Sequence, residues 1–313
     1  MRSTAKLWGR IIGQRQLRGL VAVRFLLLMS VGVLLLLFVW SSVIGVTRIF
    51  ILDLRTTALT LAFETGTTSW SFPQATVCRR IEEPDFTAPE REGPCGAQIY
   101  AVETAAPFEI AWPEGAELEL TLSELGELSI EVRGGAVPDL PVGSRIEVDP
   151  GSWTAAGAIT FAAELTVGAP VSSGQRHYLL DGRWEARQRA LFLAGTRDVS
   201  EIVKAGEAIR GSTLEVRVAD GRALMLGHVT KGTGDAVPVL EVVAVSEAAD
   251  TELWLGLFGT EKPSVIRPDW IDTAISSPIL LALAAVLSVL ASMTQVISDL
   301  ANSFRRADQP TKG

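Results

Sequence analysis

The stretch "ELELTLSELGELSIEVR", Glu117 to Arg133, decides the fold class. Leu118, Leu120 and Leu122 alternate with Glu117, Glu119 and Thr121. Beyond Gly126 the pattern resumes, with Leu128, Ile130 and Val132 against Glu127, Ser129 and Glu131. Successive side chains of a strand point to opposite faces, so an apolar residue at every second position gives a strand with one buried and one wet face. Two such strands joined around Gly126 predict a hairpin.

The same period runs on both sides of this hairpin. Strands are predicted at 49–63, 98–103, 145–148, 159–167, 189–194, 213–218, 222–229, 237–246 and 252–258. Asp-Gly pairs inside "LLDGRW" (Leu179–Trp184) and "VADGRA" (Val218–Ala223) read as tight turns, the second joining 213–218 to 222–229. Only "DVSEIVKAGEA", Asp198 to Ala208, reads as a short helix or loop. Many short strands punctuated by Gly and Pro, with no long amphipathic helix between them, predict an all-β domain of the β-sandwich or jelly-roll class. The Gly/Pro-rich stretch Glu131 to Ser144 divides it into two subdomains or forms one loop of a single domain.

Two apolar blocks flank the β region. Phe25 to Val46 has 22 residues without a charge, and Pro278 to Ile297 has 20. At about 1.5 Å per helical residue these span about 33 and 30 Å, the thickness of a bilayer core. A cleaved signal peptide fits the first poorly, because the run is longer than a signal core and follows a 24-residue basic leader. The expected organisation is a cytoplasmic leader (1–24), a first membrane helix (25–46), an extracytoplasmic β-rich domain (47–277), a second membrane helix (278–297) and a short tail (298–313). Arg2, Lys6, Arg10, Arg15, Arg18 and Arg24 precede the first block, and Arg305, Arg306 and Lys312 follow the second. The positive-inside rule therefore puts both termini in the cytoplasm and the lipid bilayer among the partners. Trp40 and Trp270 stand where aromatic residues anchor helices at the membrane interface. Arg outnumbers Lys 23 to 5 and Asn302 is the sole asparagine, the imprint of a GC-rich, bacterial genome. "Outside" then means the periplasm, and the membrane is the bacterial inner membrane.

Charge and cysteine narrow the function classes. Residues 47–277 hold 19 basic and 34 acidic residues, net −15, a face that repels nucleic acid. Cys78 and Cys95 are the only cysteines, and in an oxidising compartment such a pair forms a disulfide. There is no G-x-S-x-G, H-E-x-x-H, C-x-x-C or phosphate-loop pattern, so no catalytic, cofactor or metal residues are assigned. The two histidines, His177 and His228, lie near turns without a companion motif. Trp184 with His177, Arg187 and Arg189 marks a candidate ligand or partner surface. Trp70, Trp112, Trp153 and Trp254 are the other tryptophans of the β region, and exposed indoles there would stack on sugar rings. Ala284, Ser288 and Ser292 recur every fourth residue, a small-residue stripe that lets another helix approach closely. Together these features predict a doubly anchored scaffold or accessory subunit of a cell-envelope complex. It would associate with itself or with another membrane protein through the second helix. The alternative is an envelope glycan-binding module or enzyme using Trp and His clusters.

Overall fold

The architecture follows from one long stretch of chain. In the computed structural model, β1 (Thr47–Thr56) and β2 (Ala58–Ala62) are a single extended run broken only at Thr57. Phe50, Leu52 and Leu54 point inward before the break, and Leu59, Leu61 and Phe63 after it, all at most 1 % exposed. The inward set changes from even to odd positions, so the chain slips by one residue at Thr57. The sequence reading of 49–63 as one strand is thereby corrected to two.

The structure describes residues 32–33, 47–64, 68–82, 95, 98–168, 178–189, 200–233, 237–246, 248, 250–257, 260, 262–269, 271–272, 275, 281–282, 284–289, 292 and 295–296. Residues 47–189 and 200–272 belong to one compact unit. Its further strands are β3 (Thr68–Phe72), β4 (Ala75–Arg80), β5 (Tyr100–Ala105), β6 (Phe108–Trp112), β7 (Glu117–Leu122), β8 (Leu128–Gly134) and β9 (Arg145–Val148). After helix α1 (Pro150–Ala156) come β10 (Ile159–Val167), β11 (Leu179–Arg189), β12 (Ser200–Glu207), β13 (Thr213–Val218) and β14 (Gly221–Arg222). The last are β15 (Leu224–Thr233), β16 (Pro238–Ser246), β17 (Glu252–Gly256) and β18 (Ser264–Ile266). The domain is all-β.

Sixteen of the described strands make one sheet, in the order β12, β11, β1, β16, β15, β10, β2, β7, β8, β9, β4, β5, with β13, β14, β17 and β18 branching from β10. β3 and β6 pair separately. The path from β1 through β16, β15 and β10 to β2 starts and ends on the same stretch of chain, so the sheet curls back on itself. Leu52, Leu54, Leu59, Leu61, Phe161, Leu165, Met225 and Val242 fill the concave side. Trp70 and Trp112 pack edge to face at 5.3 Å beside it. The expected hairpin is β7–β8, with Leu120 opposite Ile130 and Leu122 opposite Leu128. The Gly/Pro-rich stretch 131–144 joins β8 to its neighbour β9 within the sheet, and it does not divide the β region.

Four local expectations are corrected. Asp181–Gly182 is not a turn, because β11 runs straight through it. Glycine is needed there because a Cβ on Gly182 would lie 2.7 Å from the Asp53 carbonyl oxygen. Asp220–Gly221 does turn the chain, but only two residue pairs of β13 and β14 form. Beyond Ala223 the chain crosses to β15, between β10 and β16. Residues 200–207 are neither helix nor loop but the edge strand β12. Pro150–Ala156 is a helix that periodicity missed, being too short to show one. Asp149 caps it by accepting from Gly151 N–H (2.9 Å) and Ser152 N–H (3.1 Å), and Pro150 fills the position that needs no donor.

The apolar block 25–46 lies outside the described residues except for 32–33, which are helical. Every described residue from 271 to 296 is helical. Among the described residues no helix is long and apolar enough to cross a membrane.

The pairing of β11 with β12 seats the indole of Trp184 on Gly206, its register partner, where a Cβ would collide with the ring. Gly206→Ala should therefore lower the unfolding free energy by about 1–3 kcal/mol through overpacking. Ala205→Ser, at the exposed neighbour, should stay within about 0.5 kcal/mol of wild type. Denaturant titration of both proteins checks the difference.

Candidate functional site

The surface that carries the most chemistry is the outer face of β1, β11 and β12. β1 exposes Asp53 and Arg55 there, because Leu52 and Leu54 take the inner face. The register places Arg183 opposite Asp53 and Glu207 opposite Arg183, with Asp181 opposite Arg55. Charges of alternating sign thus meet across three strands. Asp53, Arg55, Asp181, Gly182, Arg183, Glu207 and Ala208 surround a groove of about 340 Å³. The Arg55 guanidinium donates to Asp181 at 3.4 Å. With three carboxylates against two guanidinium groups, the groove continues the acidic character of the domain.

Beside the groove the outer face turns apolar. Ile51 sits between Val245 of β16 and Glu185 of β11, and Leu226 of β15 stands opposite Val245. Leu226 remains 45 % exposed and Ile202 of β12 47 %. One row nearer the start of β1, Ile49 faces Arg187, which faces Ile202.

The residues singled out from sequence fall in different places. Trp184 does not present a ligand surface: it is 5 % exposed and its ring stands 6.4 Å from that of Phe50. Arg187 is half-exposed and pairs with Glu185 at 2.8 Å. Arg189 ends β11 opposite Thr47. His177, Trp40 and Trp270 lie outside the described residues. Ala284, Ser288 and Ser292 are helical and exposed, and the Ser292 hydroxyl donates to the Ser288 carbonyl at 2.9 Å. His228 is half-buried in mid-strand, between Thr160 and Val243.

Tryptophan resolves into packing. Trp70, Trp112 and Trp153 are at most 4 % exposed, and the face of Trp254 is covered by Arg217 at 4.2 Å. Trp70, Trp112 and Trp153 offer no open face for sugar stacking, and Arg217 occupies one face of the half-buried Trp254. Among the described residues no group of three His, Cys, Asp or Glu side chains is placed to hold a metal ion.

Sequence reasoning missed a carboxylate cluster at the edge of β10. Glu164 is pushed up to about 7 by burial, by a hydrogen bond with the Glu64 carboxyl and by the charges of Glu64 and Glu117. Arg222, 3.8 Å away, acts in the opposite direction. Burial likewise raises Glu147, against the hydroxyl of Ser129 that donates to it at 2.8 Å. The three glutamates of the Glu164 cluster come from different elements, so no local spacing announces them. A second missed motif precedes the distal apolar block. Asp272 N–H donates to the Asp269 carboxylate (2.8 Å) and Asp269 N–H to the Asp272 carboxylate (3.1 Å), a reciprocal cap that starts a helix. The bond from Asp269, then the Lys204 ammonium, hold Asp272 below the usual carboxylate range.

Cys78 and Cys95 are disulfide-bonded, with Cα atoms 5.6 Å apart. They form a small satellite core with Tyr100, whose hydroxyl donates to the Gly143 carbonyl at 3.2 Å. Such bonds persist in oxidising compartments.

No family model, no curated protein and no solved structure matches the chain.

Two outcomes follow from these sites. Peptide mapping of protein purified under thiol block should recover Cys78 linked to Cys95. Cys78→Ser should cost about 2–4 kcal/mol, and recovery of both residues as alkylated thiols would contradict the pairing. Glu164 holds a proton in the folded chain that the unfolded chain, with a carboxyl near 4.5, has released. A raised carboxyl pKa makes folding favourable at low pH and erodes stability as pH rises towards 7. Glu164→Gln removes that loss, so its stability relative to wild type should be greater at about pH 8 than at about pH 5. An equal difference at both pH values would show that burial of this carboxyl is not felt.

Proposed function

We propose that the chain is a two-pass membrane protein whose extracytoplasmic β domain serves as a scaffold or accessory subunit of a cell-envelope complex. One observation carries this reading: both apolar blocks join the β domain at the same end of its sheet. The first block runs directly into Thr47, where β1 pairs with Arg189 of β11. The second begins beyond Asp272, which accepts from Lys204 at 3.1 Å. Lys204 stands opposite Ala186, which stands opposite Phe50. Two strand spacings and three residues of rise keep the two junctions within about 20 Å, whereas β1 itself is about 33 Å long. Helices pack about 8–10 Å apart, so two spans entering one bilayer side by side fit that separation.

The flanking charges support a cytoplasmic position for both termini, and the disulfide supports an extracytoplasmic domain. The buried tryptophans favour the scaffold over a sugar-stacking module. The stripe Ala284, Ser288 and Ser292 supplies a close-packing face for a second copy or another membrane protein.

Because both native cysteines are paired, a single added cysteine reports topology in the full chain. Leu125 is 78 % exposed at the β7–β8 turn. Leu125→Cys should react with an impermeant maleimide added outside intact cells, and the protein should stay with the membrane after carbonate washing. Labelling only in inverted vesicles, or release by carbonate, overturns the membrane reading. Ser288→Leu should preserve insertion yet weaken association in native gels. Unchanged association would remove the second helix from the scaffold role.

A further inference from the structure

We propose that the groove on the outer face of β1, β11 and β12 binds a small dibasic zwitterion, a molecule of the diamino-acid class with one carboxylate and two ammonium groups. The proposal concerns the β domain alone and does not depend on how the chain is anchored.

The register builds a checkerboard of charge. Asp53 stands opposite Arg183 on the neighbouring strand, and two residues along the ladder Arg55 stands opposite Asp181. Adjacent strands lie about 4.8 Å apart, and diagonal neighbours on one face about 7–8 Å. Each diagonal therefore carries one sign, Arg55 with Arg183 and Asp53 with Asp181. A carboxylate between the two guanidinium groups would accept charge-assisted hydrogen bonds from both, and an ammonium between the two aspartates would donate to both. Glu207 lies opposite Arg183 on β12, one strand further out, and completes the lining of the groove of about 340 Å³.

These charges do not satisfy one another. Asp53, Arg183 and Glu207 are exposed neighbours in one row, yet among the described residues they close no ion pair. Arg55 meets Asp181 only at 3.4 Å, and its Nε has no hydrogen-bond partner. On the same face of β11, Arg187 closes on Glu185 at 2.8 Å. The open charges thus mark the groove off from the surface beside it.

The backbone fixes the strands that carry these groups. Gly182 lies between the two charged positions of β11 and lets that strand approach β1, since a Cβ there would lie 2.7 Å from the Asp53 carbonyl oxygen. Ala208 N–H donates to the Gly182 carbonyl at 2.9 Å and pins the chain beside Glu207. Strands held in place before a ligand arrives lower the ordering cost of binding.

Charge selects the ligand class. A phosphate or other polyanion would meet three carboxylates and be repelled. A metal ion would face two guanidinium groups, and among the described residues no three carboxylates are placed to hold one. A monoamino acid satisfies the checkerboard but leaves Glu207 without a partner. Two guanidinium groups against three carboxylates give the groove a net charge of −1, and one carboxylate with two ammonium groups cancels it.

The full chain in non-ionic detergent, titrated with L-lysine by calorimetry and by saturation-transfer NMR, tests the proposal. L-Lysine should bind more tightly than cadaverine, which lacks the carboxylate, and than L-norleucine, which lacks the distal ammonium. Arg183→Gln and Asp53→Asn should each weaken L-lysine binding about tenfold or more. Arg183→Lys, which keeps the charge, should restore most of the affinity and so separates a lost charge from a lost fold. Glu207→Gln should erase the preference for L-lysine over L-norleucine, and Arg79→Gln, on β4, should change nothing. Cadaverine binding as tightly as L-lysine overturns the zwitterion, because a cation alone then suffices. L-Norleucine binding equal to that of L-lysine overturns the dibasic class and the part given to Glu207. No binding of L-lysine, or binding untouched by both Arg183→Gln and Asp53→Asn, overturns the groove as a site. None of these outcomes bears on the two-pass reading.

Discussion

The bend at Thr57 is the constraint on which the rest of the domain depends. One stretch of chain must serve as β1 beside β16 and as β2 beside β10, and at the bend neither ladder satisfies its backbone. The two threonines there supply the missing bonds. Thr56, fully buried, donates its hydroxyl to the carbonyl of Ala58 at 2.8 Å, and Thr57 N–H donates to the Tyr178 carbonyl at 3.2 Å. The Thr57 hydroxyl in turn accepts from Tyr178 N–H at 2.9 Å. Buried backbone groups left unpaired would cost free energy; Thr57 closes its own N–H and carbonyl on the backbone of Tyr178 and Leu122, and the hydroxyls of Thr56 and Thr57 take the N–H groups of Ala58 and Tyr178. The apolar side chains on either side of the bend then converge on one interior rather than two.

This also explains what could be read from sequence and what could not. The hairpin 117–133 was legible because all six inward positions are aliphatic and all outward ones polar. The bend left a trace too, in the parity change from Phe50, Leu52 and Leu54 to Leu59, Leu61 and Phe63, yet an alternating run without Gly or Pro reads as one strand. β12 was illegible because "SEIVKAGE" has little intrinsic β preference. An edge strand is held by its ladder to β11, and charged residues there discourage further pairing. Gly182 misled because Asp-Gly is a turn signal, whereas here glycine admits the backbone of β1 at close range. The tryptophans misled because composition does not distinguish an indole packed on Gly206 or Trp70 from one open to a ligand.

Charge on this domain is paired both across neighbouring strands and between residues two apart on one strand. Arg133 bridges Glu119 and Glu131, and Arg145 approaches Glu131 from the next strand at 3.4 Å. Arg217 and Arg222 share Glu215, and Arg222 also approaches Glu164. Each pair at the surface is worth little alone. Together they tie up arginines within an acidic sheet and leave the carboxylate excess to set the field. The same arrangement leaves Glu164 at a cost, because burial, Glu64 and Glu117 outweigh a single arginine.

How many attachments a domain has decides how firmly it is oriented. A single flexible tether fixes position but leaves orientation free. In the proposed two-pass arrangement, two junctions about 20 Å apart would remove most of that freedom. In the proposed arrangement the β7–β8 turn, the strand β5 and the β3–β6 pair belong to the part of the domain that is not committed to the membrane. β5 exposes Ala101, Val102, Glu103 and Thr104 and, among the described residues, pairs only with β4. A scaffold presents pairing surface in a fixed direction, and the double attachment supplies that direction without a large binding energy at any single site.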